Sequence, residues 1–338
     1  MTSRPERRNE MKSPVALIVF NRPEQTARVF EEIRKARPPL LLVVADGPRK
    51  GRPDDMAQCE KVRAIIDSVD WPCDVRKNYA EVNLGCGRRV SSGISWVFNE
   101  VEEAIFVEDD CLPHPTFFRF CEDLLEKYRH DEKVGFIGGV NFSFHGPVLN
   151  HSYYFSRGHY IWGWASWRRA WKGYDYDMKQ WPELRATHWL RDLFSDPQVV
   201  RYYTLNFDLT HRHELDTWDF QWVFHCWRKN RWEIMPSVNL VANIGHDRGD
   251  ATHTTFRSRV GNVPLEAMSF PLSHPAEVML DVEADRCNED FRRFSLAYVL
   301  RFRLEYGMKK VAYRSVRKVL GDRIVDHVKA LMIKGHGV

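Results

Sequence analysis

The stretch that most limits what this chain can become is Ala104-Ile-Phe-Val-Glu-Asp-Asp-Cys-Leu-Pro113. An apolar run from Ala104 to Val107 stops abruptly at three acids, Glu108, Asp109 and Asp110. A short apolar run bounded by polar residues reads as a strand buried on both faces of a parallel sheet. Ligands of open α/β sheets bind at the carboxyl ends of such strands. Three carboxylates crowded there repel one another and call for a cation. Hard oxygen donors favour Mg²⁺ or Mn²⁺, and those ions favour phosphate as the remaining ligand. The competing reading is a solvated acidic turn.

The flanking sequence decides between them. Pro14–Phe20 and Leu40–Ala45 are two further apolar runs, the second ending in Asp46-Gly47-Pro48. Between them, Pro23 suits the first turn of a helix that carries Ala27, Phe30 and Ile33 and stops at Pro38-Pro39. A second helix presents Val62, Ile65, Ile66 and Val69. Cys73–Tyr79 reads as a more exposed strand. Asn83-Leu-Gly-Cys-Gly87 is a turn, and Arg88–Asn99 is a helix with Val90, Ile94, Val97 and Phe98 inward. Strands alternating with helices predict a doubly wound, mostly parallel sheet. Crossovers of one hand place Asp46 and the acids at 108–110 on the same sheet edge.

Beyond Pro115 a helix is expected to about Tyr128, then a short strand through Lys133–Gly139. From Tyr153 onward the composition changes, with ten of the twelve tryptophans lying between Trp162 and Trp232. Trp164, Trp167 and Trp171 stand at helical spacing. Trp167 and Trp171 read as core; Trp162 and Trp164, beside Gly163, read as the wall of a pocket whose indoles stack on sugar rings.

Thr217–Trp227 reads as an amphipathic helix capped by Asp216 or Thr217, with Asp219 in its first turn. The helix dipole keeps a carboxylate there ionised, as a general base requires, although acids also favour first turns for stability alone. The loop Asn243–Thr255 carries His246, Arg248 and His253. Either histidine could offer an imidazole to a metal held by Asp110, and Arg248 could meet phosphate.

No apolar run reaches the roughly 20 residues a membrane-spanning helix needs, and no apolar stretch follows the charged start as in a secretory signal. Seven cysteines without a Cys-x-x-Cys pair predict a reduced, cytoplasmic protein without structural zinc. The net charge of +4 is uneven: from Val299 onward ten Lys/Arg face three Asp/Glu, so the preceding residues are net acidic. That argues against nucleic acid as the partner and leaves anionic lipid as a partner for the tail.

Together these motifs resemble metal-dependent glycosyltransferases of the GT-A fold, in particular bacterial members distantly similar to the N-acetylglucosaminyltransferase that starts complex N-glycans. The matching residues are Val19–Glu24, Val44–Gly47, Asn83–Gly87, Val107–Cys111, Trp162–Trp167, Trp218–Trp222 and Ala251–Thr254. The resemblance implies a GT-A-type mixed, mostly parallel Rossmann-like sheet flanked by helices, with a helical C-terminal tail. Residues 14–255 would be the glycosyltransferase domain, with a nucleotide-sugar half at 14–113 and an acceptor half at 114–255. Residues 256–338 would be a basic helical extension.

The resemblance also assigns roles. Phe20, Asn21 and Arg22 would line the nucleotide base pocket and Asp46 would bond the base. Arg88 would reach base or diphosphate. Glu108-Asp109-Asp110 would be the Asp-x-Asp-type element, with Asp109 on ribose and Asp110 ligating Mn²⁺ or Mg²⁺. His253 would sit by the metal, and Asp219 would deprotonate the acceptor hydroxyl. The expected activity is inverting transfer from a UDP-sugar to a glycan or lipid-linked acceptor in the making of cell-surface polysaccharide, at the inner membrane face. A sugar-1-phosphate nucleotidyltransferase shares the sheet and metal but should carry a Gly-rich loop where Asn21-Arg22-Pro23 stands. A carbohydrate-binding protein built on the tryptophans would leave the acidic strand end unexplained.

Overall fold

The computed structural model describes residues 11–142, 150–158, 160–245 and 263–291. Strand β1 (Val15–Val19) is buried at every position, as are all but the first residue of β2 (Leu40–Ala45). Between them runs α1 (Pro23–Ala36), which ends at Arg37 in the left-handed conformation, just before Pro38-Pro39. Helix α2 (Pro53–Ile66) buries Cys59, Val62 and Ile66. Strand β3 (Asp74–Tyr79) has no buried residue, as its place at the sheet edge allows. Helix α3 (Cys86–Glu100) lays Val90, Ile94, Val97 and Phe98 on the sheet and leads into β4 (Glu103–Glu108).

After β4 come β5 (Cys111–Pro113), α4 (Thr116–Lys127), β6 (Val134–Gly138), β7 (Tyr153–Ser156) and β8 (Trp164–Trp167). Helices α5 (Arg168–Trp171), α6 (Trp181–Arg185), α7 (Trp189–Leu193), α8 (Pro197–His211) and α9 (Asp219–Arg228) follow. Strands β9 (Trp232–Pro236) and β10 (Val241–Asn243) and helix α10 (Val282–Phe291) complete the described elements.

Eight strands form one sheet in the order β3-β2-β1-β4-β8-β6-β9-β7. The β3-β2-β1-β4 half is parallel throughout. Strand β8 runs antiparallel to both β4 and β6, β9 is parallel to β6, and β7 is antiparallel to β9. The result is a mixed, mostly parallel Rossmann-like sheet flanked by helices, consistent with a GT-A-type fold. Alternate residues of β1 divide the core: Val15, Leu17 and Val19 pack with α1 and α4, while Ala16 and Ile18 pack with α3 and the aromatic residues of α9. A third cluster, with Trp181, Phe207, Phe224 and Trp227, joins α6 and α8 to the far side of α9.

One expectation is corrected. Trp164–Trp167 is a strand rather than part of a helix, and only the single turn of α5 follows it. Gly163, at φ 63°, turns the chain in. Small Ala165 and Ser166 then fit between two neighbouring strands, where paired backbone groups outweigh the three-residue tryptophan spacing. A strand's alternation consequently sends Trp164 and Trp167 into different cores. The six cysteines of the described residues with assigned side-chain states are all free thiols. The basic tail beyond residue 291 lies outside the described residues.

Candidate active site at the carboxyl edge of the sheet

Parallel pairing sets three strand ends side by side: Val19 is level with Ala45, and Ile18 with Glu108. The backbone continues the ladder past the strands. The Asp109 amide donates to the Ile18 carbonyl at 2.9 Å, and the Asp46 amide donates to the Val19 carbonyl at 3.2 Å. In return the Phe20 amide donates to Asp109 Oδ2 at 2.9 Å. Arg22 donates through Nη1 to Asp110 Oδ2, and the same atom lies 3.6 Å from Asp109 Oδ1. Asp109 and Asp110, at the end of one strand, thus face the backbone and guanidinium that leave the next.

Crowding shows in the proton affinities. Burial, reinforced by Asp110, Asp109 and Asp219, pushes Glu108 up to about 8 against the pull of Arg22. Burial and Asp110 push Asp109 up to about 7, opposed by Arg22 and the Phe20 amide. Arg22 is the cation that the edge itself brings to Asp109 and Asp110. The hard carboxylate oxygens of the edge fit a Mg²⁺ or Mn²⁺ ion, with Asp110 the member that Arg22 already reaches. Among the described residues no three His, Cys, Asp or Glu side chains converge as a complete ligand set. Further ligands would therefore come from bound phosphate or from residues outside that set.

His253, His246 and Arg248 lie outside the described residues. The chain does pass Asp110 just before them. Strand β10 pairs antiparallel with β5. The Ile244 amide donates to the Asp110 carbonyl at 2.7 Å, and a Cβ on Gly245 would stand 2.5 Å from Asp110 Oδ2.

Asp219 is the first residue of α9. Its Oδ1 accepts from the Thr217 hydroxyl and, at 2.8 Å, from the Phe220 amide. Its charge is felt by Glu108, Cys86 and Tyr174, each of whose proton affinities it raises after burial has done so. The cap expectation is corrected: Trp218 is the N-cap, and neither Asp216 nor Thr217 caps α9 with its side chain. Asp216 instead accepts from the Cys86 and Gly87 amides at 3.1 and 2.9 Å, at the start of α3.

The other expected residues have defined surroundings. Asn21 Nδ2 donates to Asp55 Oδ1 at 2.9 Å. Arg49 holds the same carboxylate through Nε and Nη2 at 2.6 and 2.9 Å, with its guanidinium 5.2 Å over the Phe20 ring. Asp46 is buried, and burial raises its proton affinity. It accepts from the Gly47 and Leu84 amides and from Asn83 Nδ2, at 2.8, 2.9 and 2.9 Å. Arg88 is exposed and lies 5.1 Å over the Tyr176 ring.

Trp164 needs correction as a pocket wall. It is 1% exposed, with Phe106 stacked on it at 4.3 Å and Trp218 at 5.6 Å, so its ring is enclosed by other aromatic rings. Trp162 remains half-buried against Phe142. Sequence reasoning missed Arg49, Asp55, Tyr174 and the bonds of Asp216. Only the Arg49–Asp55 pair had a local signal, a basic and an acidic residue six apart across the polar stretch that enters α2.

No protein-family model and no curated protein matches this chain. Among solved structures it is similar to a UDP-glucose pyrophosphorylase complexed with UDP-glucose, with TM-score 0.26 and 14% identity over 43% of this chain and 67% of that one. A likeness of that degree carries no argument about activity. What stands is the chain's own geometry: a mixed, mostly parallel Rossmann-like α/β sheet with acids gathered at its carboxyl edge.

Proposed function

We propose that this protein is an inverting glycosyltransferase that moves a sugar from a nucleotide diphosphate, UDP being the nucleotide we favour, to a hydroxyl of a glycan or lipid-linked acceptor. The observation that carries the reading is that Asp109 and Asp110 gather on the Phe20 amide and Arg22 at the carboxyl edge, while the segment leading into Asp219 is bonded through Asp216 to the turn that also holds Asp46 at that edge. One acid group can hold a metal–diphosphate while the other holds a proton acceptor. The base would lie against Phe20, with Arg49 backing that ring and Asn21 fixed by Asp55. Arg22, paired with Asp109 and Asp110 at the same edge, would meet diphosphate charge.

Asp219 would take the acceptor proton on Oδ2, the oxygen not engaged by Thr217 or Phe220. The acceptor oxygen then forms its bond to the anomeric carbon as the bond to the diphosphate oxygen breaks on the opposite face. The departing charge remains on the diphosphate beside Arg22. A bound divalent cation, held by Asp110 with an imidazole from the 246–253 loop, would supply neutralisation of that leaving group. We assign residues 14–113 to the donor and 114–255 to the acceptor.

In Asp219→Asn, transfer should fall on the order of 10²–10⁴-fold, while calorimetric binding of UDP with Mn²⁺ stays within about twofold. Turnover at the parent rate would remove Asp219 as the base. A nucleotidyltransferase would instead release pyrophosphate from UTP and a sugar-1-phosphate. The direct entry into α1, with Arg22 as N-cap and Pro23 behind it, leaves no Gly-rich loop for that triphosphate.

A further inference from the structure

The turn before α3 is rich in glycine, which usually signals backbone amides offered to a phosphate. Here those amides are already engaged by a carboxylate of the same chain. Asp216 Oδ2 accepts from the Cys86 amide at 3.1 Å and Oδ1 from the Gly87 amide at 2.9 Å. Both glycines make room for it. Gly85 has φ 82°, and a Cβ there would lie 2.7 Å from Asp216 Oδ2. A Cβ on Gly87 would lie 2.6 Å from the Thr217 carbonyl oxygen and 2.9 Å from Asp216 Oδ1.

The three residues that follow Asp216 are tied in turn. The Thr217 hydroxyl donates to Asp219 Oδ1, and the Thr217 carbonyl accepts from Gln221 Nε2 at 2.8 Å. The Trp218 carbonyl accepts from the Tyr174 hydroxyl at 2.9 Å. On its other side the same turn is fastened to the donor strand, where Asn83 and Leu84 donate to Asp46. One five-residue turn therefore joins the end of β2 to the start of α9.

We propose that Asp216 is a positioning residue: by docking on the Cys86 and Gly87 amides it sets the start of α9, and with it Asp219, against the donor edge. The glycines at 85 and 87 serve this internal carboxylate, and the diphosphate is left to the Arg22–Asp110 side. The catalytic part of this inference rests on the glycosyltransferase reading; the mechanical part does not.

The test uses the full chain with Asp216→Asn and, from the opposite side of the contact, Gly87→Ala. Hydrogen exchange followed by mass spectrometry should show faster exchange in two segments together, around residues 84–90 and 216–222, with the β1 and β2 segments unchanged. Transfer assays should show kcat falling at least tenfold in both variants, with donor KM and UDP–Mn²⁺ binding within about twofold of the parent. Asp216→Glu, which keeps the charge, should recover part of kcat.

Loosening confined to one segment, or to neither, would overturn the link. Unchanged kcat despite paired loosening would overturn the positioning role. A general collapse in exchange protection with loss of UDP binding would make Asp216 a fold residue and overturn it too. Parent protein that turns over no nucleotide sugar would retire the glycosyltransferase reading and the catalytic role together. The link would then stand or fall on exchange alone.

Discussion

At the scale of single residues, the acids at 108–110 could be read from sequence because a buried parallel strand is an unbroken apolar run, so the charge that ends it stands out. Asp219 could be read because it opens an amphipathic run. Asp216 could not: its partners are 129 and 130 positions away, and an acid in a polar loop has no pattern of its own. Trp164 was misplaced for the converse reason, since an indole suits a sugar or a core equally and only its neighbours decide. His225 is another residue whose state depends on its surroundings. It is 2% exposed, with Nε2 at 3.1 Å from the Ala170 carbonyl, and burial, with Arg231 nearby, lowers its pKa to about 4. The unfolded chain takes up that proton near pH 6.5, so between pH 6.5 and 4 it binds more protons than the folded one. Stability is therefore complete above that window and erodes as pH falls through it, by an amount on the order of 3 kcal/mol in the limit. His225→Gln should flatten the loss by about 2 kcal/mol when urea midpoints at pH 7 and pH 4.5 are compared. An unaltered slope would show that His225 is not the group responsible.

At the scale of elements, the run from β1 to β4 falls close to its sequence expectation, Val69 beyond the end of α2 apart, because β1, β2 and β4 are apolar runs and each helix begins or ends at a Pro, Gly or polar turn. Strand β8 was hidden. It is four residues long, its pairing partners lie about 30 and 60 positions away, and its tryptophan spacing imitates a helix. The fit of α3 on the sheet shows how closely such elements approach. A Cβ on Gly93 would come within 2.3 Å of Val44 Cγ1, although alanine is the better helix former by about 1 kcal/mol. Gly93→Ala should therefore destabilise by about 1–3 kcal/mol despite that gain. Adding Val44→Ala should recover at least half of the loss in a double-mutant cycle measured by denaturant unfolding. Additive effects would mean that the contact does not govern the packing of α3.

At the scale of the whole molecule, the parallel half of the sheet was expected, and the reversal at β8 was not, because strand direction beyond β4 depends on pairings far apart in sequence. No helix among the described residues is long and apolar enough to cross a membrane. If the carboxyl edge takes a metal–nucleotide, occupancy should stabilise the entire fold. With UDP and Mn²⁺ at about 100 times the dissociation constant, the gain is about 2.7 kcal/mol, read as a rise of several degrees in the unfolding midpoint. UDP alone or Mn²⁺ alone should raise it less. An equal rise with Mn²⁺ alone would place the ion away from the nucleotide.

The indoles of Trp164 and Trp218, 5.6 Å apart, belong to a cluster with Trp171 and Trp222 in which the chromophores are close enough to share excited states, so the cluster should serve as an optical gauge inside the protein. Trp218 is bonded directly to Asp219, and the gauge is therefore fixed to the residue proposed to do the chemistry. Movement at that point can be followed in near-ultraviolet light without attaching any dye.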